Sequence, residues 1–395
     1  MARIPALSLS LSFFSLLSLA LPASATCVAP VVGGDSAPAI NQALQNAGLG
    51  GTVYLCADAI YKIKTAVGFK HPNQTLVTET YDTGSPQGAR AWIDIDDPSL
   101  ATAVSAHDVP GAWLMSVAVS GSEELFGHHS GNQAVIDFGG WYTTYAGRSQ
   151  KVHGCYITEP RGAASVRVSA GSGAGCNGVV VSNNDIGPSG RDNGLWADGI
   201  QYQCRNGFVT GNFIYDATDV GIALFGSPGT LIADNQIVAV SRTLLCGISL
   251  SDTGPFKTPA GDGDSRGTRV YNNTIYAQSA WIKEGIASGP NMAWPPPLCD
   301  DPVRNDGATI DYNTVKGAYV GYAFPVDGVR NWTITNNTDI SQHPFPSYLP
   351  TSACYGPVDL PRRFQKFSAR SSGTFTGNNY SFVEAVLDGA SSFQP

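Results

Sequence analysis

Five asparagines recur along the middle of the chain, each two residues before an aliphatic side chain. Asn184, Asn212, Asn235, Asn273 and Asn313 precede Ile186, Ile214, Ile237, Ile275 and Val315. The strand-like runs VVVSN, FVTGN, LIADN, RVYNN and TIDYN lead into them. A second short strand then opens on Gly199-Ile200, Gly221-Ile222, Gly247-Ile248, Gly285-Ile286 or Gly321-Tyr322. The asparagines are 28, 23, 38 and 40 residues apart, a shortest unit in the low twenties with insertions. A repeat of that size describes a stack of coils rather than a closed globule. In a parallel β-helix, coils stack at roughly 4.8 Å, so like residues form ladders. Stacked asparagine amides can then satisfy one another and the backbone of a tight bend. Inward aliphatics form a continuous core that no single coil could bury alone. The 3.6-residue period of a helical solenoid is absent. The expected fold class is therefore all-β, a parallel β-helix.

The ends of the chain set its compartment and caps. Arg3, the apolar run Leu7–Leu21 and the small-x-small pattern Ala23-Ser24-Ala25 read as an export signal over 1–25, with a mature chain from near Thr26. No later stretch is long and apolar enough to span a bilayer. All eight cysteines, Cys27, Cys56, Cys155, Cys176, Cys204, Cys246, Cys299 and Cys354, follow that signal. In an oxidising compartment they are disulfide candidates, and Cys27–Cys56 would tie down the N-terminal cap. No Cys or His spacing suits zinc, so no structural metal is expected. Five sequons, at Asn73, Asn272, Asn331, Asn336 and Asn379, are candidates for N-glycosylation. The net charge is −8 with no basic cluster, which argues against nucleic acid and against acidic membrane surfaces. The expectation is a secreted monomer.

Residues 26–65 read as a cap, 66–340 as coils and 341–395 as a non-repeating segment covering the last open edge, all one domain. In the cap, Asp35 or Ser36 starts a helix with Ala37, Ile40, Ala43, Leu44 and Ala47 on one face. Gly48, Gly50 and Gly51 end it, and Thr52–Leu55 alternates as a strand. This cap, GDSAPAINQAL followed by GGTVYL, together with the Asn-x-Ile coils, resembles the pectin-lyase-like superfamily over most of residues 33–340. The resemblance implies a right-handed parallel β-helix and a polysaccharide partner outside the cell. It is weak for activity, because the fold hosts lyases, hydrolases, transferases and adhesins.

Aligning the Gly-Ile strands collects ionisable residues in one column. Asp198 opens the first coil, Asp219 the second, Cys246 the third, and Lys283-Glu284 the fourth. Strict alternation puts Asp198 on the same side as Ile200, facing inward, and only a bend at Gly199 delivers it to a groove. The strands are similar to those of polygalacturonases, where an Asn-Thr-Asp-Gly coil precedes Asp-Asp, Gly-His-Gly and Arg-Ile-Lys coils. Asp198-Gly199-Ile200 matches the first, and Asp219 one member of the aspartate pair. Cys246 stands where the histidine would be, and Lys283-Glu284 replaces Arg-Ile-Lys. The resemblance therefore implies a relative that keeps the groove without the galacturonan-cleaving set.

Asp198, Asp219, Glu284 and Lys283 are the candidate catalytic residues. Trp196, Tyr202, Phe225, Trp281 and Trp294 are candidate stacking surfaces for sugar rings. Arg191, Asp192, Arg242, Asp252 and Lys257 lie in loops beside the column, where ligand residues concentrate. His128, His129 and His153 precede the column and read as structural. Gly261-Asp262-Gly263-Asp264 is a short acidic loop that hints at calcium. Under the leading reading, a glycoside hydrolase, one aspartate protonates the leaving oxygen while the other activates water or attacks the sugar. Under a lyase reading, Lys283 removes a proton beside a uronate carboxylate, with Arg242 or a cation stabilising the enolate. Calcium is expected only in that case, and no other cofactor in either. The third reading is a non-catalytic glycan-binding β-helix, since stacked asparagines need no chemistry.

Overall fold

The computed structural model describes residues 26–79, 89–140, 149–170, 175–191, 195–252, 254–259, 261, 263–289, 304–342, 364–366 and 371–384. The export signal, Cys299, Cys354, Asp192, Asp262 and Trp294 lie outside them, as does most of 341–395. No helix among the described residues is long and apolar enough to cross a membrane.

Each coil passes through three short strands, and each strand pairs in parallel with its counterparts one coil before and after. The result is three long parallel sheets of 11, 10 and 12 described strands in their main paths. The first runs from Thr52–Leu55 to Gly373–Thr374 and the second from Ile60–Ile63 to Thr338–Ser341. The third begins at Val67–Gly68 and includes Asp198–Tyr202, Val220–Phe225, Leu244–Asp252 and Ile282–Ser288. The chain is a parallel β-helix, as the repeat requires. Coil formation starts earlier than expected: Thr52–Leu55 already pairs with Thr75–Thr78, inside the stretch assigned to the cap. It also ends later. Trp332–Thr335 pairs with Gly373–Thr374, so 371–384 continues the stack instead of merely covering it.

The corner between the first and second sheets explains the repeat. A left-handed residue (Asn183, Gly211, Asp234, Asn272, Tyr312 or Asn336) turns the chain just before each ladder asparagine. Each ladder side chain then bonds in two directions. Asn212 Nδ2 donates to Asn235 Oδ1 at 2.9 Å and to the Val181 carbonyl one coil back at 3.0 Å. Asn235 Oδ1 also accepts the Asn212 backbone N–H at 3.0 Å. The same pattern joins Asn184 to Asn212, Asn235 to Asn273, and Asn273 to Asn313. It runs on to Asn337 and Asn378, two members beyond those the sequence spacing singled out. Behind the corner Ile186, Ile214, Ile237, Ile275 and Val315 stack in register and are buried.

Helix Ala37–Ala47 closes the N-terminal end with Ala37, Ile40 and Leu44 fully buried. Asp35 rather than Ser36 serves its first turn, accepting the Ala37 N–H at 3.0 Å. Cys27–Cys56 is a disulfide, and Cys176–Cys204 joins neighbouring coils. Cys155 and Cys246 form no disulfide and are corrections to the pairing expected of them. Both are sealed in the stack, Cys155 heading the asparagine ladder with its N–H donated to Asn184 Oδ1. The five sequon asparagines are all exposed.

Candidate active site on the third sheet

Inward-facing glycines shape the third sheet. A side chain at Gly199 would sit 2.7 Å from Ile214 Cγ2 in the core and 2.6 Å from the Gly221 carbonyl. Gly221, Gly247 and Gly285 repeat this crowding against Ile237, Ile275 and Val315. Gly199 therefore faces the core, and so does the buried Ile200 beside it. Two successive inward residues break strict alternation. The bend returns Asp198 to the outer side, where Gln201 Nε2 donates to its Oδ2 at 2.7 Å. Its Oδ1 accepts the Val220 N–H of the next coil at 2.8 Å.

The strand register places the ionisable residues. Ile200, Ile222, Ile248 and Ile286 are opposite one another, which aligns Asp198 with Val220. Val220, Cys246, Glu284 and Tyr322 continue that column. Asp219 precedes it by one residue on the second coil, and Lys283 does so two coils later. Asp198, Asp219, Cys246, Glu284 and Lys283 thus share one stretch of sheet. One expected alignment shifts: Tyr322 stands opposite Glu284, and Ala323 rather than Gly321 meets Gly285. Val320–Tyr322 and Phe324–Val326 are separate short strands here, and the Gly-Tyr pair is offset by two residues.

Burial dominates the electrostatics. Asp198 is 3 % exposed, and burial, then the charge of Asp219, hold its carboxyl well above the usual range. The bonds from Gln201 and Val220 oppose that rise. Asp219, half-buried, is pushed up by burial to about 6. Glu284, buried, rises to about 7 although Lys283 opposes the shift. Burial lowers Lys283 to about 8 against the pull of Glu284. The Cys246 thiol is driven far up by burial and by Glu284, with smaller contributions from Asp219 and Asp198. Its Sγ lies 3.2 Å from the Ile248 carbonyl. The histidine position of the polygalacturonase pattern thus holds a thiol that keeps its proton.

Beside the column, toward the strand ends, a cavity of about 240 Å³ opens on the outer face. Asn132, Arg167, Ser169, Gln201, Gln203 and Phe225 line it. Arg167 is forked onto Asp137, Nε to Oδ1 at 3.0 Å and Nη2 to Oδ2 at 2.9 Å, and also donates to the Asn132 carbonyl. Gln201 touches both the cavity and Asp198. It was missed in the sequence, although its place three residues after Asp198 on one strand was visible there.

The expected ligand residues divide. Phe225 lines the cavity. Trp196 is half-buried two residues before Asp198. Trp281 is half-buried against Tyr319, ring centroids 4.9 Å apart. Tyr202 is a correction: it is fully buried in the core, with its hydroxyl donated to the Val179 carbonyl at 2.8 Å, because it lies two residues after the inward Ile200 on an alternating strand. Arg191 is engaged with Glu123, Nε to Oε2 at 2.6 Å. Arg242 donates to the Gly190 carbonyl, and its loop is anchored by Asp216. Asp252 ends a strand of the third sheet, and its side chain is outside the described residues. Lys257 bridges to Gly263. In the acidic loop, Asp264 is held by Arg266 at 2.9 and 2.8 Å. His153 lies on the first sheet against Ser182, away from the column.

A family model described as the right handed beta helix region matches residues 143–291, the coils that carry the ladder from Asn184 to Asn273 and the column from Asp198 to Glu284. The chain has the pectin-lyase-like fold. Solved structures sharing this right-handed parallel β-helix include a tailspike protein of E. coli bacteriophage HK620 in complex with a pentasaccharide, 11 % identical with a TM-score of 0.59. The match covers 91 % of this chain but 61 % of the tailspike chain, so this chain spans about three fifths of that relative. A polygalacturonase from Erwinia carotovora is 12 % identical with a TM-score of 0.52, over 81 % of this chain and 87 % of its own. PfbA, a surface adhesin of Streptococcus pneumoniae, is 12 % identical at 0.50, over 80 % and 88 %. At such identities the pectin-lyase-like fold is what is shared. No curated protein matches the chain by sequence.

Proposed function

We propose that this is a secreted enzyme that cleaves glycosidic bonds of a polysaccharide, with Asp219 and Asp198 as its acid–base pair. The observation that carries the reading is the pair itself, two carboxyls on successive coils with unequal surroundings. Above about pH 6, Asp219 is ionised and can activate water or attack the sugar. Asp198, deeper and beside that charge, has its carboxyl held well above the usual carboxylate range and serves as the acid. Environments that push two carboxyls apart in this way divide the roles that hydrolysis requires. Gln201 and the Val220 N–H hold Asp198 in place, and the adjoining cavity offers amides and an aromatic face to sugar. The printed neighbours, a polygalacturonase and a tailspike holding a pentasaccharide, are consistent with a carbohydrate partner.

A second reading has its own observation. Lys283, lowered to about 8, is a competent base for β-elimination from a uronate. A panel of plant and fungal polysaccharides separates the readings, scored for reducing ends and for ultraviolet absorbance of unsaturated products. Reducing ends without absorbance support hydrolysis. Both together replace it with elimination, and neither leaves a binding protein of the adhesin kind.

A further inference from the structure

We infer that the cavity beside the acidic column takes an uncharged, hydroxyl-rich stretch of glycan rather than a polyuronate. The inference deepens the proposed function by naming a substrate class for the same site. A uronate carboxylate is recognised by a cation with hydrogen bonds to give, most effectively by the fork of an arginine. The cavity contains such a fork in Arg167, but Asp137 occupies it from one side with two bonds, and the Asn132 carbonyl takes another N–H. The Arg167–Asp137 pair is therefore close to neutral as the ligand meets it. Arg191 is engaged by Glu123. Lys283 lies beside Glu284 at the far end.

What the cavity presents instead is neutral. Gln203 accepts the Ala170 N–H through Oε1 at 3.2 Å, which leaves the donor end of its amide for a ligand. Gln201 gives Nε2 to Asp198 and keeps its carbonyl oxygen as an acceptor. Ser169 adds a hydroxyl, and Phe225 a face for the C–H side of a sugar ring. Amides and hydroxyls that both donate and accept are the complement of sugar hydroxyls. The column beyond adds repulsion. Asp219, ionised at neutral pH, would meet a neighbouring uronate as a like charge in a poorly hydrated site.

The experiment is affinity electrophoresis of the intact protein in gels containing one of three polymers. These are native polygalacturonate, the same polymer with its carboxyls chemically reduced to alcohols, and a neutral glucan. Retardation by the reduced polymer and the glucan is expected at affinities at least about tenfold above that for the native polymer, a difference of roughly 1.4 kcal/mol. Asp137→Asn, which releases the Arg167 fork, is expected to raise affinity for native polygalacturonate about tenfold. Arg167→Gln in that background should abolish the gain. Stronger retardation by the native polymer than by its reduced form overturns the inference, and so does retardation by none of the three. Cleavage is scored separately. A neutral polymer that is retained but never cut sinks the proposed enzyme and leaves this inference standing. A native polyuronate cut in an Asp219-dependent manner does the reverse.

Discussion

Two columns of buried polar residues climb this molecule, and they are built on opposite principles. The corner ladder from Asn184 to Asn378 repeats one uncharged side chain, and each amide is bonded to its neighbours above and below. The column on the third sheet never repeats itself, passing from Asp198 through Val220 and Cys246 to Glu284, with Asp219 and Lys283 alongside. The ladder satisfies polar groups where no water reaches. The acidic column leaves ionisable groups in surroundings that disfavour their charged forms. Repetition marks the residues that hold the coils together, and departure from repetition marks the candidates we propose for chemistry.

Substitutions in the two columns should therefore fail in different ways. The largest effect belongs to the acidic pair. Asp198→Asn and Asp219→Asn should each lower turnover on a cleavable glycan by at least about a hundredfold, the lower scale of acid–base assistance. Both should remain folded by circular dichroism, since an amide keeps the shape and needs no charge buried. Near-normal turnover in both folded variants would move the chemistry to Lys283 and Glu284.

Next comes the ladder. Asn235→Ala removes bonds to Val209, Asn212 and Asn273 at once and should cost on the order of 1–3 kcal/mol in chemical denaturation. Activity per folded molecule should be unchanged. The same change at Asn378, at the part-buried end of the ladder, should cost less. Equal losses at both sites would mean that the ladder does not act coil on coil.

A pH series sharpens the contrast further. The folded pKa of Asp219, about 6, lies above its unfolded value near 3.8, so the folded state binds the proton more tightly. Its contribution to stability is present at low pH and is lost as pH rises from about 4 through 6. Asp219→Asn should flatten that part of the stability profile, whereas Asn235→Ala should shift the whole curve downward without changing its shape. Activity should rise through pH 6 as Asp219 ionises.

The smallest effect is expected at Tyr202. Tyr202→Phe removes the bond to the Val179 carbonyl and should cost about 1 kcal/mol, with glycan binding unaltered in the same gels. Weakened binding would return Tyr202 to the groove.

The sequence by itself determined the architecture, because the repeat is a local instruction written many times. An asparagine two residues before an aliphatic specifies a corner and the start of a strand. Stacking identical corners specifies the neighbouring coil, and the five spaced asparagines carried that without any long-range information. It also brought Asp198 and Asp219 to adjacent coils, since counting from one corner to the next is enough to align strands. Which way each side chain points was decided elsewhere. Asp198 reaches the outer face only because Gly199 is pressed between Gly221 and Ile214, residues of the next coil. The two-residue offset that brings Tyr322 opposite Glu284, and the burial that keeps Cys155 and Cys246 unpaired, also depend on neighbouring coils. A period of two holds only along an unbent strand. Where a glycine bends it, contact with the coil above selects the face, and that contact exists only in the folded stack.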